Sequence, residues 1–277
     1  MTELGNARVL VTGAASGIGR EMALAAAAKG AQIVAWDIDE TGLARLAGDL
    51  SALGATVLTA VVDVTDRAAV YRAAASVDDA IDGVDVIILN AGIVDNASIL
   101  DGSDEMLDRV MGVNLMSLFW CTKAFVPGMA ERGHGHVVTI ASITSVVPTP
   151  GMATYTVSKH AAYGFAETLR TELRTQAPGV RTTVVMPFFI GTGMFEGAGT
   201  VKLPFFTAHL EPREVGQRVI EAVEKNRARV VLPPLGVMAL TLRGLPPRLY
   251  DAVAEKVGLM SVMSGFTGRT PADGEKS

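Results

Sequence analysis

Tyr155 and Lys159 stand four residues apart, and Ser142 lies thirteen residues upstream. On a helix that spacing puts the phenol and the ammonium on one face, one turn apart. Oxidising an alcohol by hydride transfer requires a base for the hydroxyl proton while a nicotinamide takes the hydride. A tyrosine, with an ordinary pKa of about 10, is a poor base at neutral pH. A neighbouring cation favours its phenolate. We therefore expect Lys159, helped by a positive nicotinamide, to lower the Tyr155 pKa and also to hold the nicotinamide ribose, with Ser142 pressing the substrate oxygen against the phenol.

A second constellation opens the chain: Thr12-Gly13-Ala14-Ala15-Ser16-Gly17-Ile18-Gly19 directly follows a strand-like run and begins a helix. Its backbone N–H groups, through Ser16, Gly17 and Ile18, and the positive end of the helix dipole converge on a diphosphate. Gly13 permits the tight turn, Gly17 lets the ligand approach the backbone, and Gly19 allows close packing of helix on strand. Asp37 ends the second strand, where a carboxylate can accept hydrogen bonds from both hydroxyls of an adenosine ribose. No basic residue stands at Ala15, Ser16 or Ile38, and a carboxylate repels a 2′-phosphate. NAD rather than NADP is the expected cofactor. Asp63 and Val64, after the third strand, are candidates for the adenine, and Asn90-Ala91-Gly92 closes the fourth. All of these lie at carboxyl ends of strands, where open α/β sheets bind ligands.

The elements that must hold these residues follow from periodicity. Arg8 to Thr12, Gln32 to Trp36, Thr56 to Val62, Val84 to Leu89, His136 to Ala141, Arg181 to Met186 and Arg229 to Leu232 read as strands. Gly17 to Lys29, Glu40 to Leu53, Arg67 to Ile81, Met106 to Ala130, Ala153 to Thr175 and Pro212 to Asn226 read as helices between them. Alternating strands and helices are the pattern of a parallel, doubly wound α/β sheet. The expected organisation is a dinucleotide-binding catalytic domain over 1–232, a helical extension over 233–269 packed on it, and a polar tail over 270–277.

Composition bounds the partners. With 49% hydrophobic and 19% charged residues, the chain can bury a sizeable core. A net charge of -5 without a basic run argues against nucleic acid. The single cysteine, Cys121, forms no internal disulfide and fits a reducing, cytoplasmic setting. Because the start is polar, neither a signal peptide nor a membrane anchor is expected. His134 and His136 have no carboxylate at ligand spacing, so no metal is expected.

Together these residues resemble the short-chain dehydrogenase/reductase family. The likeness runs nearly the whole length through Thr12 to Gly19, Asp63, Asn90-Ala91-Gly92, Asn114, Ser142, Tyr155, Lys159 and Pro187 to Thr192. It implies a Rossmann-type sheet of seven parallel strands with helices on both faces, and a catalytic tetrad of Asn114, Ser142, Tyr155 and Lys159. In it Asn114 would hold a water in a proton relay from Lys159 to solvent. Pro187 and Thr192 would meet the cofactor's carboxamide side. Phe188 departs from the glycine usual after that proline.

The resemblance also implies a substrate lid at about 188–212; the segment is rich in phenylalanine, and Phe188, Phe189, Met194 and Phe195 are expected to line a greasy substrate pocket. The segment is similar to the family branch of retinol and hydroxysteroid dehydrogenases, which implies a lipophilic alcohol as substrate. A reductase of a small polar ketone, or a silent NAD- or lipid-binding protein on the same fold, remains the alternative. The apolar C-terminal segment could touch a membrane surface. The apolar surface of the Tyr155 helix, and the habit of the family, imply a homodimer or homotetramer.

Overall fold

Alternate residues of each strand face opposite sides of one sheet, and both sides are apolar. Val9, Val11, Ile33, Ala35, Val86, Ile88, Val138 and Ile140 feed one core cluster, while Leu10, Val34, Trp36, Ile87, Leu89 and Val137 feed the other. Strands buried on both faces read as nearly continuous apolar runs, the signature of a parallel sheet covered by helices. A computed structural model describes residues 1–95, 97–188, 190–192, 194, 210–258 and 265.

The strands are β1 (Arg8–Thr12), β2 (Gln32–Asp37), β3 (Val57–Val61), β4 (Val86–Leu89), β5 (Gly135–Ile140), β6 (Val180–Pro187) and β7 (Arg229–Leu232). All pair in parallel, in the order β3-β2-β1-β4-β5-β6-β7. The order reverses between β1 and β4. A crevice opens there, outside the carboxyl ends of both strands.

Three helices cover the first face: α1 (Gly17–Ala27), α2 (Glu40–Ala52) and α7 (Pro212–Glu224). The second face is covered by α3 (Arg67–Ile81), α5 (Ser117–Arg132) and α6 (Ala153–Gln176), with α4 (Asp104–Met111) leading into α5. Asp39, Asp66 and Ser103 cap α2, α3 and α4 by accepting from backbone N–H groups in the first turn. Ser16, at the head of α1, makes no such side-chain bond.

The single helix expected over Met106 to Ala130 is divided. A π turn, Gly112–Met116, joins α4 to α5 and carries Asn114. The inserted residue shifts the helical phase locally, which a 3.6-residue periodicity does not register. The combined run Asp104–Arg132 is also long and apolar enough to cross a membrane, yet Leu118, Cys121, Phe125 and Met129 pack it into the second core as a sheet-covering helix.

After β7 come α8 (Val237–Leu242) and α9 (Pro247–Lys256). Ala239 and Leu240 of α8 lie against a small apolar cluster of Ile143, Val146, Val184 and Met186. The extension beyond Gly258, Gly265 apart, and the tail lie outside the described residues, as do Phe189, Phe195 and most of the expected lid.

Candidate active site

Thr12 ends β1 and ties it to β4: its Oγ1 accepts from the N–H groups of Asn90 (3.0 Å) and Ala91 (3.1 Å). Asn90 reaches back, donating from Nδ2 to the carbonyls of Thr12 (2.9 Å) and Gly13 (3.0 Å). The expected cofactor residue Asn90 is thus also the strut that shapes the glycine turn. Gly19 has no alternative, since a Cβ there would lie 2.0 Å from the Gly13 carbonyl oxygen. Gly17 adopts φ +55°, and the nearest atom to its Cβ position is Thr192 Cγ2 at 3.3 Å. The turn therefore presents bare backbone, with Thr192 standing over it.

These residues border a cavity of about 740 Å³ at the crevice between β1 and β4. It runs past Gly13, Ser16, Gly17, Ile18 and Gly19 to Asp37, Ile38, Asp63 and Val64 at one end. At the other end it meets Asn90, Ala91, Gly92, Ser142, Tyr155, Lys159, Pro187, Phe188, Thr192 and Met194. Asp37 Oδ2 accepts from Ala15 N at 2.8 Å and Oδ1 from Asp39 N at 3.0 Å, so one carboxylate locks the turn and faces the cavity. Asp63 Oδ1 takes both the N–H (2.9 Å) and the hydroxyl (2.7 Å) of Thr65. Of the four expected catalytic residues, three line this cavity; Asn114 sits behind them, buried.

Residues 7–201 match the family model for short chain dehydrogenase. The chain belongs to that family. It is 37% identical to human epidermal retinol dehydrogenase 2 over 261 residues, covering 93% of this chain and 84% of that one. It is 36% identical to human estradiol 17-beta-dehydrogenase 11 over 249 residues, covering 90% and 82%. A solved short-chain dehydrogenase/reductase from Burkholderia phymatum, in complex with NAD, superposes with a TM-score of 0.80 at 25% identity over all of both chains. The resemblance read from the motifs, and the fold it implied, are met.

In this short-chain dehydrogenase, Ser142 Oγ accepts from Thr144 N at 3.2 Å and also hydrogen-bonds the Tyr155 phenol. Lys159 Nζ donates to the carbonyl of Ile140 at 3.1 Å and lies 5.7 Å from the centroid of the Tyr155 ring. Burial pushes the phenol up to about 12, and the Ser142 hydrogen bond pulls it down only in part. The same burial pushes the Lys159 ammonium down to about 8. Among the chain's own groups, then, desolvation outweighs the Ser142 hydrogen bond at the phenol.

Asn114 is held by three side-chain hydrogen bonds. Oδ1 accepts from Ile93 N (2.8 Å), while Nδ2 donates to Ile93 O (2.9 Å) and to Ser158 Oγ (3.0 Å). Both amide protons and one acceptor site are committed to protein, so the side chain serves as a clamp, and a relay water would have to use its one remaining lone pair or its main chain. Phe188, in place of glycine, donates its N–H to Leu232 O at 2.7 Å and extends the β6–β7 ladder. Its ring joins the cluster of Met186 and Leu240.

Several wall residues escaped the sequence reading: Asp108, Arg109, Gly112 and Val113 border the cavity from α4 and the π turn. Their closeness to Asn114 in sequence was the available signal. Cys121 is buried and its thiol pushed up to about 12, which leaves it inert. Among the described residues no group of three His, Cys, Asp or Glu is placed to hold a metal.

Proposed function

We propose that this short-chain dehydrogenase uses NAD(H) to interconvert a lipophilic alcohol and its carbonyl. The observation that carries the reading is one continuous cavity with Asp37 and Ile38 at one end and Ser142, Tyr155, Lys159, Phe188 and Met194 at the other. The bare Gly13–Gly19 backbone and the uncapped head of α1 fit a diphosphate. A carboxylate with no cation beside it fits an unphosphorylated adenosine ribose. Bound NAD supplies hydride acceptance.

The chain's residues do the rest. Ser142 and Tyr155 converge on the substrate oxygen. Tyr155 takes the hydroxyl proton as the carbonyl forms, and returns it in the reverse direction. Lys159 orients the ribose with the donors that Ile140 O does not take, and its charge opposes the rise that burial imposes on the phenol. Phe188 and Met194 give the substrate end an apolar wall, which favours retinoid, steroid or long-chain alcohols over small polyols. The names of the two human relatives point the same way.

The test follows absorbance of reduced nicotinamide across retinoids, steroids, long-chain alcohols and small polar ketones, with NAD and NADP compared by kcat/KM. Turnover of lipophilic alcohols with NAD is expected. Preference for NADP would overturn the assignment of Asp37, and turnover confined to polar ketones would overturn the substrate class.

We also propose a homodimer or homotetramer built on α5 and α6. Met116, Phe119 and Val157 are 38%, 41% and 57% exposed on the π turn, α5 and α6. Phe119 lies edge-on to Phe165 of α6, with ring centroids 4.9 Å apart, so the patch continues an existing aromatic contact.

A further inference from the structure

The C-terminal extension meets the catalytic machinery through one turn of chain. Ser142 begins the 3-10 turn Ile143–Ser145, whose last residue is shared three ways. Ser145 Oγ donates to the carbonyl of Lys159 at 2.7 Å and accepts from the N–H of Ser142 at 3.3 Å. Its carbonyl accepts from Arg243 Nη1 at 3.1 Å, across 98 positions of sequence. Arg243 is the residue that ends α8. The same helix touches the turn at its other end: a Cβ on Gly236 would lie 2.8 Å from Val231 Cγ1 and 3.5 Å from Ile143 Cδ1. Between these points Ala239 and Leu240 pack against the cluster that holds Ile143 and Val146.

We propose that Arg243 is a positioning residue, latching the C-terminal extension onto the Ser142–Ser145 turn and so holding Ser142 and Lys159 in register for substrate. The inference rests on the alcohol dehydrogenase reading above and adds a control point to its site. No residue of α8 is itself buried, and the Arg243 guanidinium ties the end of the helix to the turn by a hydrogen bond. Its charge also reaches inward: the pKa of His160, which follows Lys159 on the catalytic helix, is lowered by burial and further by Arg243, and on Tyr250 of α9 Arg243 opposes the rise that burial imposes. A guanidinium suits this work because its rigid fork loses little freedom for each hydrogen bond it makes.

The experiment compares the full chain with R243A and R243K by hydrogen–deuterium exchange and by turnover. The amides of Thr144, Ser145, Val146 and Val147 are all hydrogen-bonded within the turn and exchange slowly while it holds. In R243A they are expected to exchange about tenfold faster, the worth of one charge-assisted hydrogen bond, while α1 and α2 keep their protection. Lysine in R243K restores most of it. With a lipophilic alcohol, kcat in R243A falls by a similar factor of about ten and the affinity for NADH is unchanged. Unaltered exchange across the turn overturns the latch, as does faster exchange spread over α1 and α2, or a loosened turn with unaltered kcat. A wild-type chain that oxidises no alcohol sinks the dehydrogenase reading instead, and the exchange data still decide whether Arg243 holds the turn.

Discussion

Asn114 Nδ2 and Ser158 Oγ lie 3.0 Å apart, and Ser158 Oγ passes its own proton to the carbonyl of Tyr155 at 2.8 Å. Through that pair the π turn grips the first turn of α6. The other contacts of the amide, to both backbone groups of Ile93, fasten the chain just after β4 to the same point. Three segments that are distant in sequence are thus fixed at one buried side chain, directly behind Tyr155 and Lys159.

Asn114→Ala leaves the Ile93 backbone groups and the Ser158 oxygen without these partners. Stranding buried polar groups costs about 1–3 kcal/mol each when no water reaches them, so a loss of about 2–3 kcal/mol in total is expected. The urea midpoint measures it. A midpoint equal to wild type would show that the clamp contributes nothing.

Tyr155→Phe removes the proton carrier and keeps the ring. Loss of general acid–base catalysis is worth about 10²–10⁴-fold, and kcat should fall within or beyond that range. The affinity for NADH, read by fluorescence titration, stays as in wild type because the phenol oxygen is not part of the diphosphate cradle. Turnover surviving at the wild-type rate would falsify the role of Tyr155.

Lys159 carries a stability cost for its function. Its folded pKa of about 8 lies below the ordinary 10.5, so between those values the unfolded chain binds more protons than the folded one. Stability must then climb as pH rises from 8 towards 10, before the raised Tyr155 pKa reverses the trend at higher pH. Lys159→Met should flatten that climb and gain about 1–3 kcal/mol at neutral pH, while abolishing turnover. Parallel pH profiles for the two proteins would contradict the burial of a charge at this site.

Acid sensitivity has a different source. His136 is buried in β5 with Nε2 2.8 Å from Thr183 Oγ1 and Nδ1 3.0 Å from Thr2 Oγ1. Thr183 gives its own proton to Arg227 O, so Nε2–H donates to it. Burial, and then the charge of Arg181, push the imidazole down to about 4 from 6.5. The neutral ring therefore stabilises the fold above pH 6.5, and that contribution is lost as pH falls to 4, up to about 3 kcal/mol in all. His136→Asn should unfold with a shallower dependence on pH across that window. An equally steep curve would place the acid lability elsewhere.

How far the sequence carried the site depends on what kind of signal each part left. β1 and β7 fall at their expected bounds because short apolar runs end abruptly at Gly13 and at Pro233. The cavity residues from Gly13 to Thr192 were legible because each sits at the end of a strand, where chain direction alone places it. The π turn was not legible: Gly112-Val113-Asn114 has the composition of ordinary helix, and its extra residue shows only in the hydrogen bonds. Nor was the proton balance of Tyr155, since spacing puts Lys159 one turn away but does not report how completely both groups are desolvated. The contact of Arg243 with Ser145 depends on how α8 folds back over β6 and β7, and no local pattern encodes that.

Phe119 provides the test of assembly. It projects from α5 beside Phe165, and the surface it shares with Met116 and Val157 is apolar without serving the monomer's core. Phe119→Glu places a carboxylate in the middle of that patch at no cost to either core cluster, so the monomer should keep its melting temperature within a few degrees. If two copies meet there, each must desolvate a charge with no partner, which is strongly unfavourable for a buried interface. Light scattering coupled to size exclusion should then show a smaller species for the variant than for wild type. The same mass for both would remove α5 and α6 from the interface.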